Sequence, residues 1–477
     1  MNRLLTTTLL LMLSCLNMAR AQDDKPNIVF IFADDHTYSA IHALGSDEVI
    51  TPALDRLVRE GTTFTHAYNM GAWNGAVCMA SRAMMITGKN VWDAHAMDEA
   101  LRAGQQHEET WPKLMEAAGY NTYMSGKWHV AAPAPDLFMT TAHIRPGMPK
   151  DTPEGYNRPM DENDKRWLPW DTRHGGFWEG GTHWSEVLRD DALDFIEEAS
   201  AQEEPFFMYL AFNAPHDPRQ APKSFVDKYP LEAISLPKNY MEEYPYNEAM
   251  GSGRKLRDER LAPFPRTEYA VRVNRQEYYA LITHMDEQIG KILEAIDASG
   301  KKDNTYIFFT ADHGLAVGEH GLLGKQNMFE HSIRVPLMVV GPDIPAGKKV
   351  DADIYLQDIM ASSLDLAGVK KPAHVAFNSF IDIARGKDEK SKYDAIYGAY
   401  IGQQRMIRKD GYKLIVYPEI DKVLLYHVAE DPHELNDLAE QADQQKRVKR
   451  LFKDLQKLQK QMNDTLNLAP TFEKVVS

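Results

Sequence analysis

Cysteine is almost absent: this chain of 477 residues has two, Cys15 and Cys78. Cys15 falls inside an N-terminal stretch where Arg3 gives a positive start, Leu4 to Leu16 runs apolar and Ala19-Arg20-Ala21 fits a small-x-small cleavage site. Residues 1–21 therefore read as an export signal, and the expected location is periplasmic or secreted. A single remaining cysteine cannot form an internal disulfide, although exported proteins usually pair theirs. Cys78 is then either a buried inert thiol or a chemically special group. Long apolar runs are lacking too, so no membrane span is expected in the mature chain. Positive charge is in deficit, with 54 Lys and Arg against 69 Asp and Glu and a formal net charge of −15. That balance excludes nucleic acid and anionic membrane as natural partners, and an anionic substrate would have to be met by a few local cations. Internal repeats and low-complexity tracts are missing as well.

Hydrophobic residues make up 43% of the chain, enough for a large core. Asn27 to Ala33, "NIVFIFA", reads as a buried strand ending in Asp34-Asp35. Pro52 to Gly61 reads as a helix with Thr51 as its N-cap and Gly61 as its stop. A helix end and then a strand follow between Met115 and Ser125, a helix from Glu186 to Ser200, and a strand running into a loop from Pro205 to His216. Glu277 to Ser299 predicts a long amphipathic helix, Thr305 to Gly314 a strand with polar residues after it, and Val335 to Val340 one more strand. This alternation predicts an α/β fold: a large mixed, mostly parallel sheet flanked by helices on both faces. From about residue 370 the texture changes to short antiparallel strands (395–400, 405–408, 412–417, 423–428) and a charged helix from about Glu440 to Asn463. Residues 22–370 are the expected catalytic domain and 371–477 a smaller C-terminal α+β domain with an antiparallel sheet.

Polar clusters recur just after the strands, where open α/β sheets form their ligand crevice. Asp34, Asp35 and Asp312 offer three carboxylates and His313 an imidazole at equivalent positions; either pair alone could merely cap a helix, but the set suits a hard divalent cation such as calcium or magnesium. "GKWH" and "NAPHDP" place Lys127, His129 and His216 at strand ends, where two histidines beside a lysine could act as general acid and base. Lys325 lies between glycines on a loop and is either a solvated lysine or a cation aimed at a ligand. Trp167, Trp170, Trp178 and Trp184 are half of the 8 tryptophans and lie near Arg158, Arg173, His174 and His183. They either cover the crevice, as aromatic faces flanked by cations, or pack a long loop onto the body.

Cys78, Ala80, Arg82, Thr87 and Gly88, in "CMASRAMMITG", resemble the signature of the type I sulfatases of the alkaline-phosphatase-like superfamily. The resemblance extends in chain order through "NIVFIFADD", "TPALDRLVREGTTFTHAY", "GYNTYMSGKWH", "APHDP", "TADHGLAVGEHGLLGK", "RVPLMV" and "LYHVAEDPHELNDLA". It implies that a maturation enzyme oxidises Cys78 to formylglycine, whose hydrate is the nucleophile. It also implies that Asp34, Asp35, Asp312, His313 and the modified Cys78 hold a divalent cation, calcium first and magnesium second. Arg82 would hold the formylglycine in place with Lys127 beside it, and Lys127 and Lys325 would clamp the sulfate. His129 would serve as base and His216 as acid, with those roles exchangeable or shared with Lys325. Two positions depart from the family pattern: Ala80 stands where proline is commoner, and His313 where many members have asparagine. The expected activity is hydrolysis of a sulfuric ester on a poly- or oligosaccharide. The rivals are a phosphate or phosphonate ester hydrolase of the same superfamily and a non-catalytic protein that binds sulfated glycans.

Overall fold

The computed structural model describes residues 25–147 and 152–476, so the expected export signal at 1–21 lies outside the described residues. The chain lays down β1 (Asn27–Ala33), β2 (Thr62–Tyr68), β3 (Gly71–Ala72), β4 (Asn121–Lys127) and β5 (Thr140–Arg145) first. β6 (Phe206–Ala211), β7 (Thr305–Ala311), β8 (Arg334–Val340), β9 (Lys348–Val350) and β10 (Ile354–Tyr355) follow. β11 (Ile396–Tyr400), β12 (Gln404–Lys409), β13 (Tyr412–Tyr417) and β14 (Lys422–Tyr426) close the series.

Nine of these form the main sheet in the order β10-β2-β8-β7-β1-β6-β4-β5, with β9 alongside β2. Every pairing in it is parallel except those of β8, which runs against both β7 and β2. β1, β6 and β7 are buried along their whole length, as their unbroken apolar runs predict for strands covered on both faces. Helices Pro52–Glu60, Trp184–Ser200 and Glu268–Ala298 pack together as one group, and Val77–Thr87, Trp111–Ala117 and Asp358–Leu366 as another. No helix among the described residues is long and apolar enough to cross a membrane.

The second sheet runs β14-β13-β12-β11-β3, antiparallel except where β11 meets β3. Its hydrophobic core gathers Ile396, Ile407, Leu414 and Leu425 with Tyr68, Met70, Val77, Ala80 and Met84 from the first part of the chain. The segment that carries Cys78 is thus packed by both halves of the sequence.

Two local details differ from the sequence-based expectation, while Gly61 is the stop expected of it. Thr51 makes no side-chain cap on the helix Pro52–Glu60. Asp286, on the helix Glu268–Ala298, supplies the cap instead, accepting from the amides of Ala53 at 2.9 Å and Leu54 at 2.8 Å. Gly61 ends that helix in extended backbone; a Cβ there would stand 2.2 Å from the carbonyl oxygen of Val339, so close approach to β8 is what requires glycine. The long helix begins at Glu268, ahead of Glu277, where the Thr267 side chain accepts from the Ala270 amide.

Candidate active site

Because β1, β4, β6 and β7 are parallel neighbours, their C-terminal ends open on one edge of the sheet. Asp34 and Asp35 follow β1, Lys127 ends β4, His216 follows β6, and Asp312 and His313 follow β7. Cys78 and Arg82 arrive on the helix Val77–Thr87, four residues apart and therefore on one face. Lys325 comes from the loop between β7 and β8.

Three carboxylate–cation pairs organise the centre, all of them buried. Lys127 Nζ donates to Asp34 Oδ2. Lys325 Nζ donates to both oxygens of Asp35, at 2.9 and 2.8 Å. Arg82 Nε donates to Asp312 Oδ2 at 3.0 Å, while its Nη1 donates to the Lys127 carbonyl at 2.7 Å and ties β4 to the helix that carries Cys78. Asp35 sits at φ 69°, a left-handed conformation costly for a residue with a side chain. It is held there by its amide donating to Asp312 Oδ1 at 3.2 Å and its carbonyl accepting from Tyr278 at 2.6 Å.

Cys78 Sγ lies 3.1 Å from His313 Nε2 and 3.9 Å from Asp35 Oδ1. The Nδ1–H of His313 donates to the Gly314 carbonyl at 2.9 Å, which turns Nε2 toward the carboxylates. Against the cost of burial, Asp312, Cys78 and Asp35 raise the His313 pKa to about 10. Asp34 Oδ1 is buried without a hydrogen-bond partner, an orphan acceptor beside this group. Asp34, Asp35, Cys78 and His313 each bring a ligand atom within 4.8 Å of the others. Asp312 flanks them, its Oδ1 3.5 Å from His313 Nε2. An orphaned carboxylate oxygen, further carboxylates and one imidazole nitrogen fit a divalent cation.

His216 donates from Nδ1 to the Asp217 carbonyl at 2.7 Å and points Nε2 at Asp35 Oδ2, 3.9 Å away. Burial, with Lys325 and Lys127 nearby, keeps its pKa well below the usual range, so the ring is neutral. Lys325 stays an ammonium because Asp35, Cys78 and Asp258 outweigh the effect of its burial. For Asp34, burial and Asp312 push the pKa up, but Lys127, His216 and Arg82 more than offset them and it ends low.

His129 stands apart from this hydrogen-bonded set. It is half-buried, at φ 56°, with its ring against Gly147, where a Cβ would come within 2.1 Å of ring atoms. Burial and the charges of Lys127 and Arg82 lower its pKa to about 3, and its Nδ1 has no hydrogen-bond partner.

Several residues of the centre carried no signal that singled them out in the sequence. Asp217, a bidentate partner of Arg257, orients His216. Asp258 lies 3.8 Å from Lys325 Nζ and is anchored by Gln326. Ser81 and Asn69 both donate to the Asp312 carbonyl. Asp217 lay inside the quoted "APHDP", while Arg257 and Asp258 come from a charged loop with no strand before it. The tryptophans divide between their two readings. Trp167 is buried under Arg158, which pairs with Glu277, and Trp170 packs on the main core. Trp178 and Trp184 line an open cleft with Arg145, Arg173 and His174. His183 caps the helix Trp184–Ser200 by accepting from the Ser185 amide.

A buried thiol among carboxylates, an imidazole and three cations is an arrangement suited to the hydrolysis of anionic esters. The Sulfatase family model matches residues 26–369, and that of the N-sulphoglucosamine sulphohydrolase C-terminal region matches 318–461. The chain belongs to the sulfatase family. An N-acetylglucosamine-6-O-sulfatase of Bacteroides thetaiotaomicron is 26% identical, the alignment covering 97% of this chain and 91% of that protein. A solved structure in complex with its substrate D-glucosamine-2-N,6-O-disulfate superposes with a TM-score of 0.74 at 25% identity, over 92% of this chain and 99% of the other. A phosphonate monoester hydrolase of Silicibacter pomeroyi, 19% identical, reaches a TM-score of 0.72 over 93% and 97% of the two chains, so the fold is shared beyond sulfatases.

Proposed function

We propose that this sulfatase is an exported enzyme that removes sulfate from a sulfated poly- or oligosaccharide, using Cys78 as formylglycine. The observation that carries the reading is the placement of the mature chain's one cysteine, 3.1 Å from His313 Nε2 among buried carboxylates and cations. A structural thiol would have no need of that company. The carbohydrate is supported by the glucosamine-based substrates named for the relatives above. The signal-like residues 1–21 support a periplasmic or secreted location.

Converted by a maturation enzyme, Cys78 supplies a hydrated aldehyde: one hydroxyl attacks the ester sulfur, and the other later expels sulfate as the aldehyde re-forms. Held by Asp34, Asp35, Asp312 and His313, a divalent cation, calcium first and magnesium second, would supply Lewis acidity toward oxygen. Arg82 keeps Asp312 in register with the helix that carries Cys78, while Lys127 and Lys325 place ammonium charge where the sulfate oxygens gather negative charge. Lys325 holds a proton for the leaving alcohol, and the neutral His216 takes the proton of the attacking hydroxyl at Nε2 and, as acid, passes it to that alcohol. His129, neutral and unpartnered at Nδ1, accepts the proton of the second hydroxyl.

The test is a mass spectrum of the Cys78 peptide from protein made in its native host, paired with turnover of sulfate and phosphate esters. We expect formylglycine at position 78, preference for the sulfate ester, and a loss on the order of 10³-fold or more in Cys78→Ala with an unchanged melting temperature. An alkylatable thiol in active protein, or activity retained by Cys78→Ala, refutes the reading.

A further inference from the structure

Seven arginines are buried among the described residues: Arg82, Arg145, Arg158, Arg219, Arg266, Arg405 and Arg408. Five have a carboxylate in contact, namely Asp312, Glu277, Glu259, Asp464 and Asp353 for Arg82, Arg158, Arg266, Arg405 and Arg408. That is the rule for a structural guanidinium, because a buried charge without a counter-charge is strongly unfavourable. Arg145 and Arg219 have no such partner among the described residues. Arg219 is closed in against Asn274 Oδ1 at 2.6 Å and borders a space of about 20 Å³, room for little more than a water.

Arg145 is different. It is 3% exposed, ends β5 and lies directly across from Lys127 in the parallel pairing of β4 with β5. Among the described residues its guanidinium makes one hydrogen bond, an Nη2–H donated to the Gly175 carbonyl at 2.7 Å, and it lies over the Trp184 ring, 4.9 Å from the centroid. It lines a cleft of about 520 Å³ together with His174, Phe177, Trp178 and Trp184. Burial lowers its pKa to about 9, against the opposing effect of Asp34 and Asp217, and its register with Lys127 sets it next to the candidate active site.

We infer that Arg145 is a substrate-recognition residue that binds a second anionic group of the sugar, a sulfate or a carboxylate, while the sugar face lies along Trp178 and Trp184. The inference rests on the carbohydrate sulfatase reading above and deepens it: the enzyme acts on sugars with two acidic groups, removing the sulfate at Cys78 and reading the other at Arg145. A planar guanidinium with unused donors matches both oxyanions in two-point contact. Aromatic faces beside it give the amphipathic wall that a sugar ring requires.

Two measurements test this. Matured enzyme is assayed on glucosamine 6-sulfate, on glucosamine-2-N,6-O-disulfate, and on a disaccharide joining a uronate to glucosamine 6-sulfate. In parallel, crystals are soaked in sodium selenate, a tetrahedral oxyanion visible by anomalous scattering. We expect at least a tenfold preference in kcat/KM for one doubly anionic sugar, collapsing toward unity in Arg145→Gln, and a selenate peak at Arg145 that the variant lacks. The preferred partner, and whether added glucuronate clears that peak, tells a carboxylate from a second sulfate. If Arg145→Gln does not fold, Arg145→Lys keeps the charge and loses the planar fork, and its preference should fall at least threefold. A selenate peak at the reaction centre with none at Arg145 overturns the inference, as does a preference that neither variant reduces. If formylglycine-bearing enzyme hydrolyses no sulfate ester while selenate still binds at Arg145, the proposed function fails and the anion site stands.

Discussion

His313 carries a proton on a nitrogen that a metal ion would need bare. With its folded pKa raised to about 10 by Asp312, Cys78 and Asp35 against the cost of burial, the ring is protonated throughout the neutral range. A cation held at His313 Nε2, as proposed, would displace that proton, so its affinity would climb with pH up to the raised pKa. Calcium titrated into metal-stripped protein at pH 7.5 is expected to release about one proton, read by calorimetry in buffers of different ionisation heat. His313→Asn should remove most of that release; an equal release from the variant would put the proton elsewhere. At this scale the sequence was readable wherever a polar residue follows a hydrophobic strand, as Asp34, Asp35, His216, Asp312 and His313 do. It was unreadable at Arg145, because β5, "TTAHIR", is only partly buried and has no apolar pattern to announce a strand end. Arg257 and Asp258 were equally hidden, since only long-range folding brings their loop to His216 and Lys325.

At the scale of elements, one helix is capped by a charge borrowed from another. Asp286 faces the first amides of Pro52–Glu60, and burial pushes its pKa up to about 7. A folded pKa above the unfolded value means that the folded state holds the proton more tightly. The associated stability is present below the unfolded pKa and lost as pH rises through about 7. Asp286→Asn removes this dependence, so the variant should gain on the wild type between pH 4.5 and pH 8, by up to roughly 4 kcal/mol. Melting temperatures of the two proteins at both pH values check it; a constant difference between them would show that Asp286 is ionised throughout. Periodicity located the helix Pro52–Glu60, but the source of its cap lies more than two hundred residues away and leaves no local mark.

For the whole molecule, the decisive fact is that both sheets pack on the segment that carries Cys78. β3 pairs with β11, and Gln404 donates to the carbonyls of Gln326 and Met250, next to the loop that presents Lys325. Lys413, fully buried, sits between Glu330 and Glu434 at 3.1 and 2.5 Å. A fragment of residues 22–370 would expose that core to water and take Lys413 away from Glu330. It should show no cooperative thermal transition and bind no calcium; a sharply melting, metal-binding fragment would overturn this. The change of texture near residue 370 marked where the second sheet's later strands begin, but a two-residue strand such as β3 is too short to read in advance. The β3–β11 pairing also sets an order in time. A ribosome delivers the full cysteine signature hundreds of residues before the strand that locks its helix in place. Possessing the signature and packing its helix between the two sheets are therefore separate events in the life of each chain, the second waiting on the residues of β11.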